Sequence, residues 1–182
     1  MDPGLAHAQD AAMDVEKPTM LAPLQVHNMC SVDEQTVISG AVQDDFGFDL
    51  AVCFSGEGDD RLLTIRWVGE GGGSSVSCKA GECDGAIEYS RYTSPYLTIL
   101  KLGWKQDNYI QYLTQQMWRF EMGGEVHYRT DHSWQPLALD PEHPPGQEST
   151  YPVVTNAEAL ALMKLEGFLE TKSGNFPLFR GD

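Results

Sequence analysis

Gly85-Ala-Ile-Glu-Tyr-Ser-Arg-Tyr-Thr-Ser-Pro-Tyr-Leu-Thr-Ile-Leu-Lys-Leu-Gly-Trp104, continued by Lys-Gln-Asp-Asn-Tyr-Ile-Gln-Tyr-Leu-Thr-Gln-Gln-Met-Trp118, contains three strand-like runs at 86–92, 96–104 and 109–118. Each is rich in β-branched and aromatic residues, which suit a pleated, half-buried surface. Ser94-Pro95 interrupts the first pair. Lys105-Gln-Asp-Asn108 turns the second with residues that tolerate tight-turn conformations. The stretch reads as the middle of an antiparallel sheet.

Upstream, residues 35–42 form a further strand and Asp44-Asp45-Phe46-Gly47 a turn. Phe48, Leu50, Val52 and Phe54 alternate with Asp49, Ala51, Cys53 and Ser55, a period of two with one apolar face. After the turn Ser55–Asp60, residues 61–68 place Leu63, Ile65 and Trp67 on one side. Gly69-Glu-Gly-Gly-Gly-Ser-Ser75 reads as a flexible loop or hairpin tip. It lacks the Gly-Lys-Ser/Thr and the following helix of a phosphate loop.

Downstream, Gly123-Gly124 predicts a two-residue hairpin between 118–122 and 125–129. The five prolines in 131–152 predict an irregular crossing segment. Thr155-Asn-Ala-Glu158 has the form of a capping box. It precedes a broad apolar stripe of Leu160, Met163 and Gly167 flanked by Leu162, Leu165 and Leu169, so a helix is expected over about 156–170. The expected fold is mainly β, with antiparallel sheets in a sandwich, barrel or propeller-like set and one C-terminal α-helix. The chain divides into an export-signal remnant and flexible leader (1–24), one β-rich domain (25–174) and a tail (175–182).

The 182 residues include 27 acidic and 12 basic side chains, a formal net charge of −15. Such a surface repels nucleic acid and anionic membranes and attracts a basic partner. It also serves plain solubility. No run is apolar for the ~18–20 residues that a membrane span needs. Ala6-His7-Ala8 before Gln9-Asp10 has the small-x-small form of a secretory cleavage site, and export would place the protein in the periplasm. Four cysteines allow three pairings. Cys78-Lys-Ala-Gly-Glu-Cys83 suits a local bridge across a turn, leaving Cys30 to pair with Cys53; a metal site would want tighter two-plus-two spacing.

No motif calls for a cofactor or supplies a catalytic centre. His127, Asp131, His132 and His143 are candidate metal ligands, but their spacing is not that of known sites and surface histidines account for them. Asp44-Asp45 and Asp59-Asp60 lack the spaced oxygens of a calcium loop. Trp67, Trp104 and Trp118 with Tyr89, Tyr92 and Tyr96 suit either a glycan-facing aromatic surface or cross-strand packing, and packing explains them more cheaply. Arg91, between Tyr89 and Tyr92, suits a ring stack or a carboxylate pair.

Three segments resemble a family of small exported bacterial proteins: Cys30-Ser-Val-Asp-Glu34-Gln-Thr36-Val-Ile-Ser39, Leu50-Ala-Val-Cys53 and Leu63-Thr-Ile-Arg66-Trp-Val-Gly69. That family's pattern is Cys…Glu-x-Thr-Val-Phe-Ser-Cys, Val-Ser-Val-Cys and Leu-x-Tyr-Arg-Phe-Gly. Gly40 stands where the family has its second cysteine. In size, compartment and β-rich character the chain is similar to periplasmic immunity proteins. These block cell-wall amidase toxins of the type VI secretion system by inserting a loop. The resemblance implies a non-enzymatic inhibitor of a basic secreted peptidoglycan hydrolase. The loop expected to bind is Gly69–Ser75, through Gly72, Gly73, Ser74 and Ser75. The Arg91–Tyr96 bend, with Arg91, Tyr92 and Ser94, comes second. The alternative is a non-enzymatic structural or assembly protein of the envelope.

Overall fold

The 85–118 stretch forms three consecutive antiparallel strands in the computed structural model, toward one edge of the sheet rather than in its middle; the structure describes residues 29–44, 47–121, 123–136, 149–155 and 157–173. Ten strands occur: β1 (Gln35–Val42), β2 (Phe48–Ser55), β3 (Leu62–Gly69), β4 (Gly72–Lys79), β5 (Ile87–Thr93), β6 (Leu97–Gln106), β7 (Tyr109–Trp118), β8 (His127–Pro136), β9 (Ser149–Thr155) and β10 (Thr171–Ser173). They make one sheet in the order β10-β5-β6-β7-β8-β9-β1-β2-β3-β4. Every pairing is antiparallel except β10 with β5, so the sheet is mixed.

The sheet curls into a half-barrel because β9 serves both of its halves. Ser149–Pro152 pair with β8, while Val153–Thr155 pair with β1. Gly40, opposite Thr155, permits that close passage: a Cβ there would lie 2.6 Å from Val153 Cγ1 and 2.8 Å from the Val154 carbonyl oxygen. Strands far apart in the order then meet face to face. Trp67 on β3 and Trp104 on β6 have ring centroids 6.1 Å apart; Phe48 on β2 and His132 on β8 are 4.9 Å apart. The concave face carries the period-two apolar sets: Leu50, Val52 and Phe54, Leu63 and Ile65, Leu100 and Leu102, and Leu113. Their removal from water is the main favourable term of the fold.

Residues 157–169 close one end of the half-barrel, with Ala161, Leu162, Leu165 and Leu169 buried in the core. No C-terminal α-helix forms over the described part of 156–170. A 3-10 turn (Ala161–Leu165) lies there instead, and the chain then joins the sheet as β10. Leu160, at φ 55°, breaks any continuous helix on the N-terminal side, and Gly167, at φ 83°, turns the chain on the other. The Thr155 hydroxyl does not cap a helix as the Thr155–Glu158 box predicts. It donates to the Ser39 carbonyl (2.8 Å) and accepts from the Ala157 amide (2.9 Å). The buried Leu162 amide donates to Gln115 Oε1 at 2.8 Å. The apolar stripe was legible; its shape is a plug.

Two other expectations change. Trp118 pairs with His127, so Gly123-Gly124 lies in a longer 119–126 connection rather than in a two-residue hairpin. Of the two readings of Gly69–Ser75, the hairpin tip holds and the flexible loop does not. Gly69 pairs with Gly72 across a Glu70-Gly71 turn, and Gly72–Ser75 begin β4. The 131–152 segment contributes most of β8 at its start and the first part of β9 at its end. The leader and tail, the Ala6–Ala8 site, His143 and the prolines at 141, 144 and 145 lie outside the described residues.

Both cystines form, Cys30–Cys53 and Cys78–Cys83, with no free cysteine among the described residues. The first lies on the convex side of β2, where Ala51 and Cys53 are also buried. Beside it Arg66 donates to both Glu34 carboxylate oxygens, Nη2 to Oε1 at 2.7 Å. The Arg66 guanidinium holds the Glu34 carboxyl below the usual carboxylate range. Among the described residues no helix is long and apolar enough to cross a membrane.

Candidate functional site

The inward side chains of β7 run Tyr109, Gln111, Leu113, Gln115, and they mark the axis of the half-barrel. Gln115 meets the plug. Leu113 lies in the core, and Tyr109 and Gln111 line an open cleft at the other end. Register brings the remaining walls alongside. Gln111 is flanked by Trp104 on β6 and Trp134 on β8, while His132 follows one step deeper opposite Leu113. Phe48 and Trp67 close the cleft from β2 and β3, and Asp44 and Gln106 complete its polar lining. Its volume is about 340 Å³, within the range of small-molecule sites.

Its polar groups are few and fixed. Gln111 Oε1 lies 2.7 Å from His132 Nε2, and a carboxamide oxygen can only accept, so Nε2 carries the proton and Nδ1 presents a lone pair. Burial lowers the imidazole pKa to about 4, keeping the ring neutral at ordinary pH. His132 Nδ1 and Trp104 Nε1–H are both buried without a hydrogen-bond partner. A buried polar atom left in that state costs free energy until something pairs with it. Tyr109 and Trp134 meet edge to face at 5.4 Å at the mouth. Asp44 is tied to its own turn by the Gly47 amide.

The expected partner-binding residues lie elsewhere and in two places. Gly72, Gly73, Ser74 and Ser75 are all exposed on β4, an edge of the sheet. Arg91 and Tyr92 are on β5, near the other edge, and Ser94 is in the turn that follows. Arg91 is engaged internally: Nη1 donates to Glu166 Oε1 at 2.9 Å and Nε to Thr93 Oγ1 at 3.1 Å. The Ser94 hydroxyl is also occupied, accepting from the Leu97 amide at 3.1 Å. Tyr92 remains partly exposed.

The histidine–aspartate set does not converge. His132 faces the cleft, whereas the pleat turns Asp131 to the convex side, where Arg129 Nε donates to it at 2.7 Å. His127 stacks on Trp118. Cys30, Glu34 and Cys53 have ligand atoms within 4.8 Å of one another, but the sulfurs are joined in the cystine and Glu34 is held by Arg66. That grouping is a bridge beside an ion pair. Of the aromatic set, Trp67 and Trp104 line the cleft, Tyr89 is buried and Trp118 lies on the other face.

Sequence reasoning missed Phe48, Tyr109, Gln111 and Trp134 as site residues. Their one signal was inward parity on separate strands, and only the register across β6, β7 and β8 shows that they share an end. Comparison with protein-family models, curated proteins and solved structures gives no match.

Proposed function

We propose that this chain is an exported, non-catalytic binding protein that pairs with another protein along β4. Its specific role on this reading is that of a periplasmic immunity protein inhibiting a basic, secreted peptidoglycan amidase. The observation that carries the reading is the contrast between the two sheet edges. Exposed edges template unwanted pairing, and proteins blunt them with short strands, charges or proline. β10 is blunted in this way: it has three residues, and its Lys172 is paired with Glu88 at 2.7 Å. β4 has eight residues, and no proline or charge precedes Lys79. Its exposed Gly-Gly-Ser-Ser start leaves the outer backbone groups accessible for strand addition, in which main-chain hydrogen bonds supply affinity.

Two cystines suit an oxidising compartment, and a net charge of −15 suits a basic target. Inhibition then needs only that the bound β4 edge obstruct the enzyme's cleft. The test is capture of secreted wall hydrolases from the native envelope, followed by rescue of cells expressing the captured enzyme. Ser75→Lys/Ser77→Lys, which places two charges on the edge, is expected to weaken capture at least tenfold and abolish rescue. Capture unaffected by these lysines overturns the β4 site. Absence of any hydrolase partner overturns the immunity role and leaves an envelope structural or assembly protein.

A further inference from the structure

We infer that the aromatic cleft at the open end of the half-barrel binds a neutral saccharide ring, independently of the β4 edge. The argument begins with the two unpaired atoms, Trp104 Nε1–H, a donor, and His132 Nδ1, an acceptor. Both belong to side chains at most 2% exposed at the base of the cleft. A ligand that satisfies both must donate and accept. A hydroxyl does so, and a ring bearing several hydroxyls also meets the Gln106 and Gln111 carboxamides and the Asp44 carboxylate, which favours donors.

The walls select the rest of the ligand. Trp67, Trp104, Tyr109 and Trp134 present aromatic surface, which takes the flat C–H faces of a pyranose while its polar edge points toward the fixed groups. No lining residue is cationic, and the chain is strongly acidic, so an anionic ligand is disfavoured. A cation would stack on the rings and pair with Asp44, but its charged nitrogen accepts no hydrogen bond and so leaves the Trp104 N–H unmatched. A purely apolar ring leaves both buried atoms unpaired. The cleft volume of about 340 Å³ limits the occupant to one or two sugar rings.

Tryptophan fluorescence and calorimetry on the full chain test this. The probes are glucose, N-acetylglucosamine, maltose, cellobiose and chitobiose, with choline, lysine and indole as controls. The expected result is saturable binding of at least one saccharide, with a shift in tryptophan emission. Trp104→Phe keeps an aromatic ring and removes the N–H, and should weaken binding about tenfold. Trp134→Ala, at the partly exposed mouth, should weaken it further while the near-ultraviolet dichroism of the remaining core persists. Ser75→Lys/Ser77→Lys should leave saccharide affinity unchanged, separating this site from the β4 edge. The inference fails if no saccharide binds, if Trp104→Phe binds as well as the wild type, or if choline, lysine or indole binds more tightly than every saccharide.

Discussion

His132 shows how one side chain ties the site to stability. Its ring stands between Phe48 and Trp104 and gives one hydrogen to Gln111. Desolvation takes its pKa from an ordinary value near ~6.5 down to about 4. The unfolded chain therefore takes up a proton at a pH where the folded chain does not. Stability from this residue is complete above the unfolded pKa and is lost as pH falls from ~6.5 through 4, on the order of 2–4 kcal/mol in all. Glu34 acts in the same direction at lower pH: its depressed pKa, set first by the Arg66 hydrogen bond, means its stabilisation is lost as acid protonates the carboxylate. Urea denaturation between about pH 7 and 3 should show the midpoint falling, and His132→Gln should flatten the pH 6.5–4.5 part of that fall while leaving the Glu34 part below it. An unchanged slope in the variant would place the acid sensitivity elsewhere. Gly40 is informative in another way: any side chain there would collide with β9, because a Cβ would lie 2.6 Å from Val153 Cγ1.

At the level of elements, the two cystines differ in what they constrain. Cys30–Cys53 closes a separation of 23 residues and Cys78–Cys83 one of 5. By loop-closure entropy these stabilise by about 3.4 and about 2 kcal/mol respectively. Cys30→Ala/Cys53→Ala should therefore lower the chemical-denaturation midpoint more than Cys78→Ala/Cys83→Ala. The reverse ranking would show that strain or residual structure outweighs chain entropy. Leu162→Ala should cost roughly 2–4 kcal/mol by opening a cavity in the plug, while far-ultraviolet dichroism stays β-dominated with little helical signal. Legibility from sequence follows the same division. β1, β2 and β7 were readable to the residue because each shows a period of two or a β-branched, aromatic run between turn residues. β4 was unreadable because Gly72–Ser75 has no apolar period, and its strand state comes from pairing with β3. The prolines of 131–152 hide β9 in the sequence; of them Pro152 lies where the strand passes from β8 to β1. The plug reads as a helix in sequence because Leu160, Leu162, Leu165 and Leu169 have near-helical spacing; the positive-φ backbone at Leu160 and Gly167 makes it otherwise. The cleft was least legible, being assembled from five strands by register.

For the whole molecule, the half-barrel separates three surfaces among the described residues: the open cleft, the plugged end and the exposed β4 edge. Their separation makes the charge testable apart from either proposed site. A net charge of −15 acts over distance, so it governs encounter with a basic enzyme more than the lifetime of the complex. Salt shortens the reach of that field from ~10 Å at 0.1 M to ~3 Å at 1 M. Once a hydrolase partner is in hand, surface-plasmon measurements over this range should show association slowing by about tenfold or more while dissociation changes little. Ser75→Lys/Ser77→Lys should also quicken dissociation, because it disturbs the docked edge. Neutral saccharide binding in the cleft should be insensitive to salt over the same range. If partner association proved equally insensitive, electrostatic capture would be wrong, and the acidity of the chain would be left as a solubility device.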